Sequence, residues 1–445
     1  MPTMLSADNR PIYERPVELL QNLIRIDTTN PPGKEAACIS YINDLLKEAG
    51  FDTAFFAKEE NRPNLLARLK GQGSAAPLML YGHVDVVPTT KQAWTYPPFE
   101  AKIADGFIWG RGALDMKGGI AMMLAAVLRA KAESLTPAGD ILLAILCDEE
   151  AGSEYGAKYL VENHSEQFSG IQYAIGEFGG YTAHVGAKKF YPIQIAEKQV
   201  CCIKATIRGP GGHGARPMRG GAMAKLADFL YRLDNRRLPV HITPVTRQMV
   251  EIIASNLSFP KKLIFRQLLK PFLTNRILGL FGDISQYFDP LLHNTVNATI
   301  VRGGEKINVI PSEITVELDG RLLPGFSADD MLTELRQLIG EDVELELLKH
   351  HSNPAELDMG LFNTLASVLQ KADPDGIPMP MLLPAFTDAC FFSRLGIQTY
   401  GFTPMKLPVG FNFFETIHAA DERVPVEAID FGAKAIYELL RCYDG

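Results

Sequence analysis

Two adjacent glutamates, Glu149 and Glu150, stand where the apolar run Ile141–Cys147 gives out. Neighbouring carboxylates repel each other and are costly to desolvate unless cations or transferable protons occupy the space between them. Two similar places lie upstream. His83 and Asp85 close the stretch Leu80–Asp85, and Asp115 sits in a turn bracketed by Gly110, Gly112, Gly118 and Gly119. Residues two apart on a strand point to one side, so the His83 imidazole can ligate a metal while the Asp85 carboxylate holds its other ring N–H. One of the paired glutamates can bind a cation while its neighbour faces an activated water and serves as base. Glu177, in Ile175–Gly180, is the next acidic residue at a strand end, and His418, in Phe414–Val424, is a second candidate imidazole. Singly, each has an ordinary alternative: a structural His–Asp pair, a helix cap at Asp115, a solvated helix entry at Glu149–Glu150. Together they form a donor set suited to paired Zn²⁺ ions with a built-in base, and so to hydrolysis.

The elements that must position these residues follow from the apolar pattern. Helices are expected over 16–26 and 35–49, strands over 65–70, 78–84, 141–147 and 173–177, and helices over 118–131 and 153–163. Strands alternating with helices imply an α/β fold with a mostly parallel sheet flanked by helices. The candidate residues then fall at strand ends, where open α/β sheets place their sites. From 196 the order changes to βαββαβ, with strands at 200–207, 295–301, 314–318 and 343–348 and helices at 220–235 and 328–339. This is an inserted α+β unit. After 351 the alternation returns, with a helix at 361–372, a strand at 398–402 and a helix at 426–440. The expected division is therefore a discontinuous catalytic domain, 1–195 and 351–445, around an inserted lid or dimerisation domain, 196–350.

One stretch departs from that pattern. Residues 240–293 form an apolar insertion with a cationic excess around Phe259–Phe272. A membrane-surface helix is one reading. The preferred reading is a helical excursion that packs on the inserted domain, covers the active site or widens a dimer contact, so membrane contact is not expected.

At 445 residues the chain is too long for one ordinary core. Its 47% hydrophobic and 22% charged composition is that of a globular protein, and a formal charge of −8 argues against nucleic acid as a partner. Six cysteines without CxxC or disulfide-framework spacing fit free thiols in a reducing compartment. The first ten residues lack an apolar signal segment, and no apolar run reaches the roughly 18 residues of a membrane span. A cytoplasmic location is expected.

The ordered stretches Thr28–Gly33, Gly82–Pro88, Trp109–Gly112, Asp115–Gly119, Asp148–Glu150, Gly211–Pro217, Gly303–Pro311 and His418–Val424 together resemble a known family. It is that of the dinuclear zinc amidohydrolases and exopeptidases, which includes aminoacylase, acetylornithine deacetylase, succinyl-diaminopimelate desuccinylase and glutamate carboxypeptidase. The resemblance implies two Zn²⁺ per subunit, with Co²⁺ or Mn²⁺ as substitutes. His83 and Glu177 would bind one ion, His418 and Glu150 the other, and Asp115 would bridge them. It further implies that Asp85 orients His83, that Glu149 is the general base and acid, and that the Asp115–Met116 peptide is cis. His213, supplied by the partner of a homodimer, would steady an oxyanion, and Asn308 or Arg321 would hold a substrate carboxylate. Thr387–Asp388 resembles a loop at the family's site edge, but Phe386 stands where Gly is common, and no role is assigned there. The activity implied is cleavage of an amide bond next to a free carboxylate, in N-acyl amino acids or short peptides. Two alternatives are a catalytically silent homologue that binds a metal or amino acid, and an aminopeptidase. Every expected ligand and base is present, against the first; the implied Arg321 contact counts against the second.

Overall fold

A computed structural model of the chain describes residues 10–351 and 358–445. Two compact units are present: one takes in the chain through Ile195, Asp358–Met381 and Thr387–Gly445, and the other begins at Ala196 and includes the short return Leu382–Phe386.

The first unit is built on a mixed sheet. Among the described residues it has nine strands, with Ile141–Leu146, Leu78–His83, Tyr173–Gly176 and Gln398–Gly401 side by side at its centre. These four are joined by parallel ladders. The pairings that flank them, with Pro63–Leu69 on one side and Lys188–Glu197 on the other, are antiparallel. Leu78–His83 and Ile141–Leu146 are buried along their whole length, which is why they read as unbroken apolar runs: helices cover both faces of a parallel sheet. Because the central strands share a direction, His83, Cys147–Glu150 and Glu177 emerge at the same edge.

Helix Lys117–Ala132, rich in Ala and Met and buried almost all round, packs against helices Pro16–Ile24 and Val426–Cys442. Gly82 allows its start to press on the sheet: a Cβ there would lie 2.4 Å from the Met116 methyl and 2.8 Å from Ile120. That close approach brings Asp115 beside His83. Lys117, also buried, donates to the carbonyls of Leu23 (3.1 Å) and Ile26 (2.7 Å) at the end of Pro16–Ile24.

The second unit has the βαββαβ order. Strands Thr295–Arg302, Glu313–Leu322, Gln199–Arg208 and Val343–His350 form, in that spatial order, an antiparallel sheet. Helices Ala222–Asn235 and Ala328–Ile339 close its core around Ile203, Ala205, Val316, Leu318, Met331 and Leu335. Helices Pro244–Ser255, Lys261–Arg266, Pro271–Leu280 and Ser285–Leu292 occupy the insertion. No helix among the described residues is long and apolar enough to cross a membrane.

Lys198, fully buried in this unit, donates to the His293 carbonyl (2.8 Å) and the Thr295 hydroxyl (2.9 Å). Burial and the Arg321 charge push its ammonium down to about 7. An unfolded lysine keeps its proton to about pH 10.4, so between these values the unfolded chain binds the extra proton and stability rises with pH, by up to about 1.4 kcal/mol per unit. Urea unfolding of wild type and Lys198→Met across that range checks this. Wild type should gain on the variant as pH rises, and parallel profiles would remove the assignment.

Candidate metal centre

At the shared strand edge, the Asp115 carboxylate lies between two imidazoles. Its Oδ1 stands 3.1 Å from His83 Nε2 and its Oδ2 3.0 Å from His418 Nε2. Glu177 Oε2 lies 3.5 Å from the His83 nitrogen, and Glu150 Oε2 lies 3.3 Å from that of His418. Glu149 groups with His83 and Glu177. His83, Asp115, Glu149, Glu150, Glu177 and His418 are thus brought together. The peptide between Asp115 and Met116 is cis.

The backbone that presents these groups is locally unusual. Asp148 (φ 69°) and His418 (φ 59°) are both left-handed, a conformation few non-glycine residues adopt without support. The support comes from buried carboxylates set one layer back. Glu422 accepts N–H bonds from Gly112 (3.0 Å), Leu114 (2.8 Å) and Asp115 (3.2 Å), and pairs with Arg111 at 2.7 Å. Arg111 also donates to the His418 carbonyl at 3.1 Å, so one ion pair holds both the Asp115 turn and the His418 loop.

Asp85 does the same for the glutamates, accepting from the N–H groups of Glu149 and Glu150 at 3.1 Å each. The nearer acceptor for His83 Nδ1 is the Asp85 carbonyl, at 3.0 Å; the Asp85 carboxylate stands at 3.4 Å. An Nδ1–H turned to Asp85 leaves the Nε2 lone pair facing the centre. Asn30 bridges the carboxylates of Asp85 (2.8 Å) and Asp148 (3.0 Å), and Arg62 ties Asp148 to Glu35. Asp388 accepts from the Ser153 hydroxyl at 2.5 Å, while its Oδ2 is buried with no hydrogen-bond partner. Asn30, Asp388 and Glu422 all lie in motifs legible in the sequence, but what each one grips is set by tertiary contacts.

The electrostatics show what the cluster lacks. Burial and the Glu177 charge drive Glu149 well up, burial and the Asp115 charge raise Glu150, and burial, aided by Asp115, pushes Glu177 to about 8. Burial lifts Asp388 to about 7. Asp115 is held well below the usual carboxylate range because His418 and His83 outweigh its burial. His418 is raised to about 10 by Asp115 and Glu150, and His83 is raised despite burial by Asp115, Asp85 and Glu177. Crowded carboxylates thus draw protons onto themselves and the imidazoles, the response of a site short of positive charge. Divalent cations fit that need. Ligand atoms around a tetrahedral zinc ion, at bond lengths of about 2.0–2.2 Å, stand roughly 3.3–3.6 Å apart. The Nε2–oxygen separations here are 3.0–3.5 Å, and Glu150 Oε1 is a buried oxygen without a hydrogen-bond partner.

The remaining sequence candidates belong to the second unit. His213 is exposed on a short ribbon where it pairs with Val309, and the Gly214 N–H donates to the Asn308 carbonyl at 2.8 Å. Arg321 lies at the other end of the four-stranded sheet, opposite Val200, with its guanidinium on Asp319 at 2.8 and 3.2 Å.

An acidic, two-histidine centre at the strand ends of an α/β unit defines a class of metal-dependent hydrolase. The family description "Peptidase family M20/M25/M40" matches residues 79–441, and the chain belongs to that family. It is 29% identical over 369 residues to the probable carboxypeptidase S-like 2 of Dictyostelium discoideum, across 80% of this chain and 69% of that one. It is 27% identical over 388 residues to the N-fatty-acyl-amino acid synthase/hydrolase PM20D1 of Mus musculus, across 83% and 75%. The fold is shared with an M20 family metallo-carboxypeptidase, Sso-CP2, from Sulfolobus solfataricus, with a TM-score of 0.67, 17% identity, and coverage of 96% of this chain and 99% of that one.

Removing one partner of a buried ion pair leaves the other uncompensated, at about 3–5 kcal/mol. Glu422→Gln should therefore lower the melting temperature and, by loosening the Asp115 turn, weaken binding of a divalent metal by about 10- to 100-fold. Calorimetric metal titration of the folded variant reads the second effect, and unchanged affinity would confine Glu422 to stability.

Proposed function

We propose that the chain is a two-metal hydrolase cleaving the amide bond of N-acyl amino acids or short peptides that carry a free carboxylate. The observation that carries this reading is Asp115 with one oxygen turned to each imidazole. His83 with Glu177, and His418 with Glu150, would hold two divalent cations, Zn²⁺ in the first instance, with Asp115 shared. When bound, such cations polarise a carbonyl and make water more acidic.

Glu149 takes the proton of the attacking water as its oxygen joins the amide carbon, and delivers it to the leaving nitrogen as the C–N bond breaks. Asp85 and Glu422 hold the backbone of these groups. His213, from a partner subunit, would steady the oxyanion. Substrate-carboxylate binding falls to Asn308 or Arg321. The two bonds to Asp319 use two of the five donors of the Arg321 guanidinium.

A homodimer through the second unit is supported by the exposed edge strand Thr295–Arg302, which presents Ile300 and Val301. The cysteines, all free and most of them buried, support a reducing compartment such as the cytoplasm. The names of the relatives, together with the apolar insertion, favour including long acyl chains among the substrates.

The test is a zinc-supplemented hydrolysis screen over acetyl, succinyl and long-chain acyl amino acids and dipeptides. Turnover should vanish on chelation and return with metal. Glu149→Gln should keep its metal and lose about 10²- to 10⁴-fold in kcat. A protein that binds two zinc ions but hydrolyses nothing in the panel would favour the silent binding homologue. If only small polar acyl groups were turned over, the long-chain expectation would fail.

A further inference from the structure

The helices of the insertion do not hide all of their apolar surface. They have a small core of their own: Phe265 stacks on Phe281 at 5.7 Å and meets Phe288 edge-on at 5.2 Å, and Leu268 and Leu278 are buried. Outside that core, large apolar side chains stand in solvent. Phe259 is 80% exposed, Phe272 77% and Leu280 75%, with Leu263, Ile264 and Ile284 also exposed. In helix Pro271–Leu280 the buried face is Thr274 and Leu278, and the opposite stripe, at spacings of four, is Phe272, Arg276 and Leu280. The helix thus turns Phe272 and Leu280 outward.

Charge accompanies the exposure. From Phe259 to Gly282 the chain carries Lys261, Lys262, Arg266, Lys270 and Arg276 and no acidic residue, in a protein whose formal charge is −8. Single exposed apolar residues are ordinary. Aromatic and aliphatic side chains interleaved with cations on one short excursion are the composition of an interfacial element. A two-fold contact between copies would place like charges against each other, because such an interface sets one patch against itself.

We propose that this segment, Phe259–Gly282, which Asp283 follows, docks on an anionic lipid surface. Phe259, Phe272 and Leu280 would enter the headgroup boundary while Lys261, Lys270 and Arg276 meet lipid phosphates. Membrane contact is not expected from the sequence pattern alone, and these exposures are the reason to assign it. The proposal does not rest on the hydrolase reading, since its readout is binding.

The experiment is co-sedimentation of the full chain with phosphatidylcholine vesicles, plain or with roughly a third phosphatidylglycerol. Binding is expected to the anionic vesicles only and should weaken as salt is raised. Phe272→Ser with Leu280→Ser, and separately Lys261→Glu with Arg276→Glu, should each reduce partitioning about tenfold or more. Melting temperature and turnover of a soluble short-chain substrate should stay unchanged. Failure to bind anionic vesicles, or equal binding by wild type and both variants, would overturn the proposal. So would sedimentation velocity showing that the apolar variant splits a dimer while vesicle binding persists, which would reassign the patch to self-association.

Discussion

Four carboxylates gathered about two imidazoles, with a fifth, Asp388, buried close enough to feel their charges, constitute an electrostatic debt that shapes everything around it. Glu149, Glu150, Glu177, Asp115 and Asp388 cannot all stay charged there without positive partners, and the shifts on four of them and on both histidines record the conflict. Such a cluster persists only where the surrounding chain leaves its members no room to turn away.

That constraint explains a division of labour among the acids. Those facing inward have little hydrogen bonding to spare, whereas those behind them are saturated with backbone donors. Glu422 alone collects three N–H groups and an arginine, and Asp85 collects two N–H groups and an amide. A carboxylate gripped by several donors is a rigid strut. Here the struts fix the two turns from which Asp115 and the Glu149–Glu150 pair project. Gly82 completes the arrangement from the other side by letting helix Lys117–Ala132 approach the sheet.

The parallel centre of the sheet was readable because strands covered on both faces leave uninterrupted apolar runs, as at 78–83 and 141–146. The cluster was readable because His83, Asp115, Glu150, Glu177 and His418, residue types able to bind cations, stand out at element ends, and the structure brings them together. What escaped notice lacks such a local mark. Strand Asp52–Ala57 is half exposed with no clean alternation. Strand Ile377–Leu383 contains Pro378 and Pro380, which withhold ladder donors and suit only the sheet margin where it lies. The grip of Glu422 on Gly112 spans 310 positions, a relation no window of sequence displays. Asp388 was visible as a motif, yet its bond to Ser153 depends on two loops meeting.

The order in which the clustered residues occur along the chain bears on how the protein comes into being. His83, Asp115, Glu149, Glu150 and Glu177 precede the second unit, whereas His418 and Glu422 follow it. During synthesis an acid-rich half-pocket emerges first and must wait, while the whole intervening domain is made, for its second imidazole. Contacts of such long separation form late, because the loop must close before they return anything. Completion of the cluster therefore coincides with closure of the polypeptide upon itself, a natural checkpoint between translation and maturity.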